Sequence, residues 1–133
     1  MSSARKCTVF TFTLTDKPGQ LLYLSNRLRM ADITLRSFWA TSNDDGTSTL
    51  RCIAERDAHF RDFSHSAELH VTEEQAILIV SHEIAGGFLR ILEKLASAEI
   101  NIGDIHAVTL KDQQGWVVWT DEEQLDLLID LID

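Results

Sequence analysis

Asp16-Lys17-Pro18-Gly19-Gln20-Leu21 and Glu83-Ile84-Ala85-Gly86-Gly87-Phe88 each set a carboxylate three residues ahead of a glycine that opens an apolar-periodic segment. The chemistry open to such a segment is binding. A glycine turn entering a helix lets backbone N–H groups approach an anion, which the positive end of the helix favours, and the neighbouring carboxylate accepts hydrogen bonds from a cation. The same residues also fit a structural role, with Gly19 and Gly86 making tight turns and Asp16 helping to cap the helix. Catalysis has less support, because neither a G-x-S-x-G elbow nor a phosphate-binding Walker loop is present. His59, His65, His70, His82 and His106 include no pair at the i, i+4 spacing of a helical metal site, and Cys7 and Cys52 form no CxxC. No enzymatic activity, metal or cofactor is expected. Both cysteines read as reduced strand residues, and Trp39, Trp116 and Trp119 as core or interface.

The two turns lie 67 residues apart, and the same offset pairs Leu21 with Phe88, Leu24 with Ile91, Leu28 with Leu95, Ile33 with Ile100, Leu35 with Ile102 and Phe38 with Ile105. A glycine turn, a helix and a strand are thus built twice, which predicts units at 1–72 and 73–133. A unit of ~60 residues hides only about 60% of its unfolded surface, so each is expected to lean on the other or on a second subunit. Function is then expected where units meet. With 44% hydrophobic and 25% charged residues and a single proline, the composition is that of a folded chain. No apolar run reaches the ~18 residues of a membrane span, and no signal-peptide core follows Met1, so the expectation is cytoplasmic with no membrane partner. The net charge of −9 divides into +1 over residues 1–72 and −10 over 73–133. So few cations in the second half argue against direct nucleic-acid binding, and its acidic surface reads as a solvated face.

Residues 6–14 alternate as a strand; Asp16 to Gly19 breaks it, and Pro18 suits the first turn of the helix from Gln20 to Ala31. Strands are expected at 33–41 and 47–54 around an Asn43–Gly46 hairpin turn, then a short helix at 56–64 and a fourth strand at 67–71. The second unit repeats the order with a strand at 75–81, a helix at 87–98, a strand at 100–110, a turn at 111–115 and a strand at 116–120. Thr120 and Glu123 have the spacing of a capping box for a last helix lined by Leu125, Leu128, Ile129 and Ile132. No fourth strand follows, so the edge of the strand at 75–81 is expected to be covered from elsewhere. Ile33-Leu35-Phe38 and Ile100-Ile102-Ile105 each follow a step of two with a step of three, which predicts β-bulges near Ser37 and Asp104.

The result is an α+β chain of two ferredoxin-like βαββαβ units in tandem, with antiparallel sheets, helices on one face, and a second unit lacking its own fourth strand. Asp16-Lys17-Pro18-Gly19-Gln20-Leu21, Leu24, Leu28 and Asp32-Ile33-Thr34-Leu35 resemble the ACT domain, and Gly86-Gly87-Phe88, Ile91, Leu95 and Glu99-Ile100-Asn101-Ile102 resemble it again. The resemblance implies a non-catalytic, allosteric regulator that binds an amino acid at an interface between units. It further implies ligand contacts from the turns Asp16, Lys17, Pro18, Gly19, Gln20, Leu21 and Glu83, Ile84, Ala85, Gly86, Gly87, Phe88, with Thr34 and Asn101 in the second strands. A homodimer is expected. Two other readings stay open: a regulatory subunit of an amino-acid biosynthetic enzyme, or a two-unit regulator, acting through a protein partner; and a structural interaction module without ligand.

Overall fold

The computed structural model describes residues 2–83 and 85–132. Among them the chain forms β1 (Ser2–Thr15), α1 (Gln20–Met30), β2 (Leu35–Ser42), β3 (Thr47–Ala54), α2 (Asp57–Ser66), β4 (Thr72–Ser81), α3 (Gly87–Ser97), β5 (Ile102–Leu110), β6 (Gln113–Thr120), a 3-10 turn at Glu122–Gln124 and α4 (Leu125–Ile132). These make two compact units, the first Thr8–Glu74 and the second Met1–Cys7 with Gln75–Asp133. Both β1 and β4 contribute to each unit: residues 8–15 and 72–74 to the first, residues 2–7 and 75–81 to the second.

In the first unit the strand order is β2-β3-β1-β4. Alternation along β1 points Phe10 and Phe12 toward α1 and α2, where they meet Leu24, Leu28, Leu50, Cys52, Phe60 and Phe63 in one buried cluster. Phe60 is its centre, with ring centroids 4.4 Å from Phe10, 6.3 Å from Phe12 and 5.9 Å from Phe63. In the second unit the order is β1-β4-β6-β5. Its core joins Ile77, Ile79, Trp116 and Val118 of the sheet to Ile91 and Leu95 of α3 and Leu125, Leu128 and Ile132 of α4.

The edge of the strand at 75–81 is covered by residues 2–7, for β1 begins at Ser2 and not near Lys6. Ala4 is buried with Ile77 and Ile79, the Ser2 hydroxyl donates to Ser81 Oγ at 3.1 Å, and Lys6 Nζ lies 3.0 Å from Asp126.

Both bulges are present. Leu35 pairs with Ala54 and Ser37 with Ile53, leaving Arg36 as the extra residue; Ile102 pairs with Thr120 and Asp104 with Trp119, leaving Gly103. Each bulge turns the third apolar residue, Phe38 or Ile105, onto the helix-covered face.

Other expectations are corrected. Residues 67–71 form no strand: Glu68 takes a left-handed φ of 57°, and the N–H groups of Glu68 and Leu69 bond back to His65 and Ser64 to close α2. This is a Schellman cap. The same cap, with Asp32 or Glu99 left-handed, binds the N–H of Ile33 to Leu28 and of Ile100 to Leu95, so β2 and β5 start two residues later than alternation suggests. Pro18 precedes α1 and does not lie in its first turn. The β5–β6 turn shrinks to Lys111 and Asp112, because Gln113 and Gln114 already pair with Leu110 and Thr109. The capping box does not form. Thr120 stays in β6, its hydroxyl 2.6 Å from the Asn101 carbonyl, and among the described residues no side chain caps the turn that begins at Asp121. No helix among the described residues is long and apolar enough to cross a membrane.

Candidate functional site

The β1–α1 connection is a β-turn in which the Gln20 N–H meets the Lys17 carbonyl at 3.3 Å and Gly19 sits at φ 88°, ψ −11°. Proline second and left-handed glycine third is the type II arrangement, in which a side chain at the third position is strained. The Tyr23 N–H bonds to the Gly19 carbonyl at 2.9 Å and starts α1. Among the described residues no side chain caps that start, so Asp16 is not a cap. Its backbone N–H reaches the Gly46 carbonyl at 2.9 Å, which ties the turn to the β2–β3 hairpin. The hairpin is itself braced: Asn43 Nδ2 donates to Thr47 and Thr49 hydroxyls at 3.0 and 2.9 Å, and Asp45 accepts from both the N–H and the hydroxyl of Thr47. The Thr47 hydroxyl, foremost, holds the Asp45 carboxyl below its ordinary value.

Beside this tie lies a cavity of about 300 Å³, lined by Leu14, Thr15, Asp16, Lys17, Pro18, Gly19, Gln20, Leu21, Ala40, Ser42 and Ser48. Sheet register explains its floor. Leu14, Ser48 and Ser42 stand in one row across β1, β3 and β2, one step beyond the row of Phe12, Leu50 and Ala40. The Arg36 bulge is what places Ala40 and Ser42 on this face. Asp16 and Lys17 supply opposite charges, Leu14, Leu21 and Ala40 apolar surface, and Thr15, Gln20, Ser42 and Ser48 uncharged hydrogen-bonding groups. Leu21 also opens a second hollow of about 380 Å³, shared with Leu22, Leu24, Ser25, Leu28, Leu35 and Phe38.

All six residues of the first expected turn therefore converge on one cavity, whereas Thr34 is not among its lining residues and its carbonyl accepts the Glu55 N–H at 2.9 Å. In the second unit Gly86 repeats the left-handed conformation at φ 74°, ψ 0°. Glu83 lies 3.1 Å from Arg90, its N–H meets Ser81 Oγ at 3.1 Å, and Arg90 also donates to the Ala85 carbonyl. Gly87 is buried, and the Phe88 ring lies 4.6 Å from that of Trp116. Asn101 engages Gln124 and Thr120 through its backbone. Ile84 lies outside the described residues.

The row equivalent to Leu14, Ser48 and Ser42 is Ser81, Gln114 and Thr109. Gln114 is only 7% exposed, and its Nε2 donates to the Thr109 hydroxyl at 3.0 Å. Neither this glutamine nor the strand residues Leu14, Thr15, Ala40, Ser42 and Ser48 carry a local motif that marks them as site residues. Their signal was the alternation Phe10-Phe12-Leu14, once carried across the sheet by the register.

Two ferredoxin-like units, each with a left-handed glycine before its first helix, make an ACT-like fold. The sequence matches no protein-family model and no curated protein. Solved structures share the fold. Protein BT0572 from Bacteroides thetaiotaomicron superimposes with a TM-score of 0.81 at 16% identity, over 96% of this chain and 87% of that one. The ligand-free regulatory subunit of aspartate kinase from Thermus thermophilus gives 0.67 at 10% identity, over 98% and 93%. E. coli aspartokinase III, solved in complex with lysine and aspartate, gives 0.53 at 14% identity, over 98% of this chain and 31% of that one.

Proposed function

We propose that this chain is a non-catalytic regulatory protein that binds an amino acid at the Asp16–Leu21 turn. The observation that carries the reading is the convergence of all six turn residues on one cavity at the start of α1. A zwitterion matches that rim. Its α-carboxylate meets the helix start and Lys17, and its α-ammonium meets Asp16. The fold shared with a regulatory subunit of aspartate kinase, and with an aspartokinase solved with lysine and aspartate, supports the same reading. Ligand acts by binding one association state better than another, the differential affinity being the signal. The test is thermal unfolding against the twenty amino acids. A ligand at ~100 times its Kd stabilises by about 2.7 kcal/mol; a flat panel overturns the proposal.

A second reading, action through a protein partner, is favoured by the apolar hollow along α1 and β2. Leu21, Leu22 and Phe38 there are 47%, 66% and 43% exposed, more apolar surface in one place than scattered residues leave. Cross-linking with and without ligand distinguishes a second copy of this chain from an enzyme subunit.

A further inference from the structure

We propose that Gln114 fills, in the second unit, the space that a ligand side chain takes in the first, so that the chain binds one amino acid, with an uncharged side chain, at the Asp16–Leu21 turn. This deepens the function proposed above and rests on it.

The two units differ by an exchange. In the first, the residue after the left-handed glycine is Gln20 and the strand residue in the floor row is Ser48; in the second these are Gly87 and Gln114. With Ser48 the row leaves open the cavity beneath the turn. With Gln114 the side chain rises to the helix start: a Cβ built on Gly87 would lie 3.3 Å from Gln114 Oε1. Gly87 and Gln114 are both buried. The amide nitrogen is held by Thr109, which corresponds to Ser42, while Oε1 has no hydrogen-bond partner among the described residues.

Gln114 thus shows what fits such a row: a neutral side chain hydrogen-bonded to the hydroxyl at its far end. The first unit offers the same chemistry. Asp16 and Lys17 are the charged residues lining its cavity, and both are taken by the ligand's own ammonium and carboxylate. A ligand side chain then meets Leu14, Ala40, Ser42 and Ser48. A lysine, arginine, aspartate or glutamate side chain finds no opposite charge among those four residues, whereas a neutral one finds apolar surface and the two hydroxyls.

Calorimetric titration of the wild-type protein and Gln114→Ser with the twenty amino acids tests both parts. Wild type is expected to bind one ligand per chain, tightest for a neutral side chain. The four charged amino acids are expected to bind at least about tenfold more weakly, ~1.4 kcal/mol. Gln114→Ser is expected to bind two. Two sites in the wild type, a charged amino acid as the tightest ligand, or a folded Gln114→Ser that still binds one would each overturn the inference while leaving the proposed function standing. Wild-type stoichiometry and the charge preference decide the matter even if Gln114→Ser fails to fold. Absence of binding by any amino acid overturns the proposed function, and this inference with it.

Discussion

Ser42 stands directly opposite Ser48 across the β2–β3 pair, and Leu14 faces Ser48 from the other side, so one serine sits at the middle of the cavity floor. Ser48→Gln should therefore reproduce in the first unit what Gln114 does in the second. The variant is expected to fold, since Ser48 is only half-buried, and to lose the ligand stabilisation of about 2.7 kcal/mol expected of the wild type at ~100 times its Kd. Thermal unfolding with and without ligand reads the outcome directly.

Gly19 and Gly86 both adopt left-handed backbone, and a Cβ at either would meet nothing within 4 Å among the described residues. The cost of Gly19→Ala or Gly86→Ala is then backbone strain alone, about 1–2 kcal/mol. Gly19→Asn is expected to recover part of it, because asparagine tolerates this region. Denaturant unfolding of the three variants gives the values. Gly19→Val combines the strain with a branched side chain at the helix entrance and is expected to abolish ligand stabilisation.

Burial pushes the Cys52 thiol up to about 12, from an ordinary 9.0. In a Cys7→Ala background, alkylation at pH 8 should be slow for the native protein and fast in urea, because the thiolate is the reactive species. The linkage has a definite sign. The folded state holds the proton above the pH at which the unfolded thiol loses it, so this contribution is fully present below about pH 9 and stability falls as pH rises toward 12. Cys52→Val should flatten that alkaline decline in denaturant curves.

Phe60 is fully buried among three other phenylalanine rings. Its truncation to alanine is expected to cost about 3–5 kcal/mol, transfer and cavity terms together. Arg61 packs over the Phe10 ring at 5.8 Å and grips both carboxylate oxygens of Glu73. Because that ion pair is exposed, Glu73→Gln should cost far less than Phe60→Ala, no more than about 1 kcal/mol.

Much of this architecture was written in local patterns. Left-handed glycines at 19 and 86 and bulges at Arg36 and Gly103 follow from residue type and from a two-then-three spacing, both local properties. What escaped was set by longer-range competition. Ala67, Leu69 and Val71 alternate like a strand, yet the N–H groups of residues 67–69 close α2, and the three side chains pack half-buried on the first core. Thr120 has the right spacing for a capping box, but the Asn101 carbonyl takes its hydroxyl. That residues 2–7 cover the strand at 75–81 depends on pairing across most of the chain. The cavity was half visible: its turn could be read, whereas Ala40, Ser42 and Ser48 reach it only through bulge and register.

The central claim, an amino acid seated at the Asp16–Leu21 turn, is tested most directly by following backbone amide resonances during titration with whichever amino acid stabilises the protein. The account predicts saturable shifts at Lys17, Gly19, Gln20 and Leu21, together with Ala40, Ser42 and Ser48 across the cavity. Saturable binding that leaves those amides unmoved and shifts others instead would contradict it.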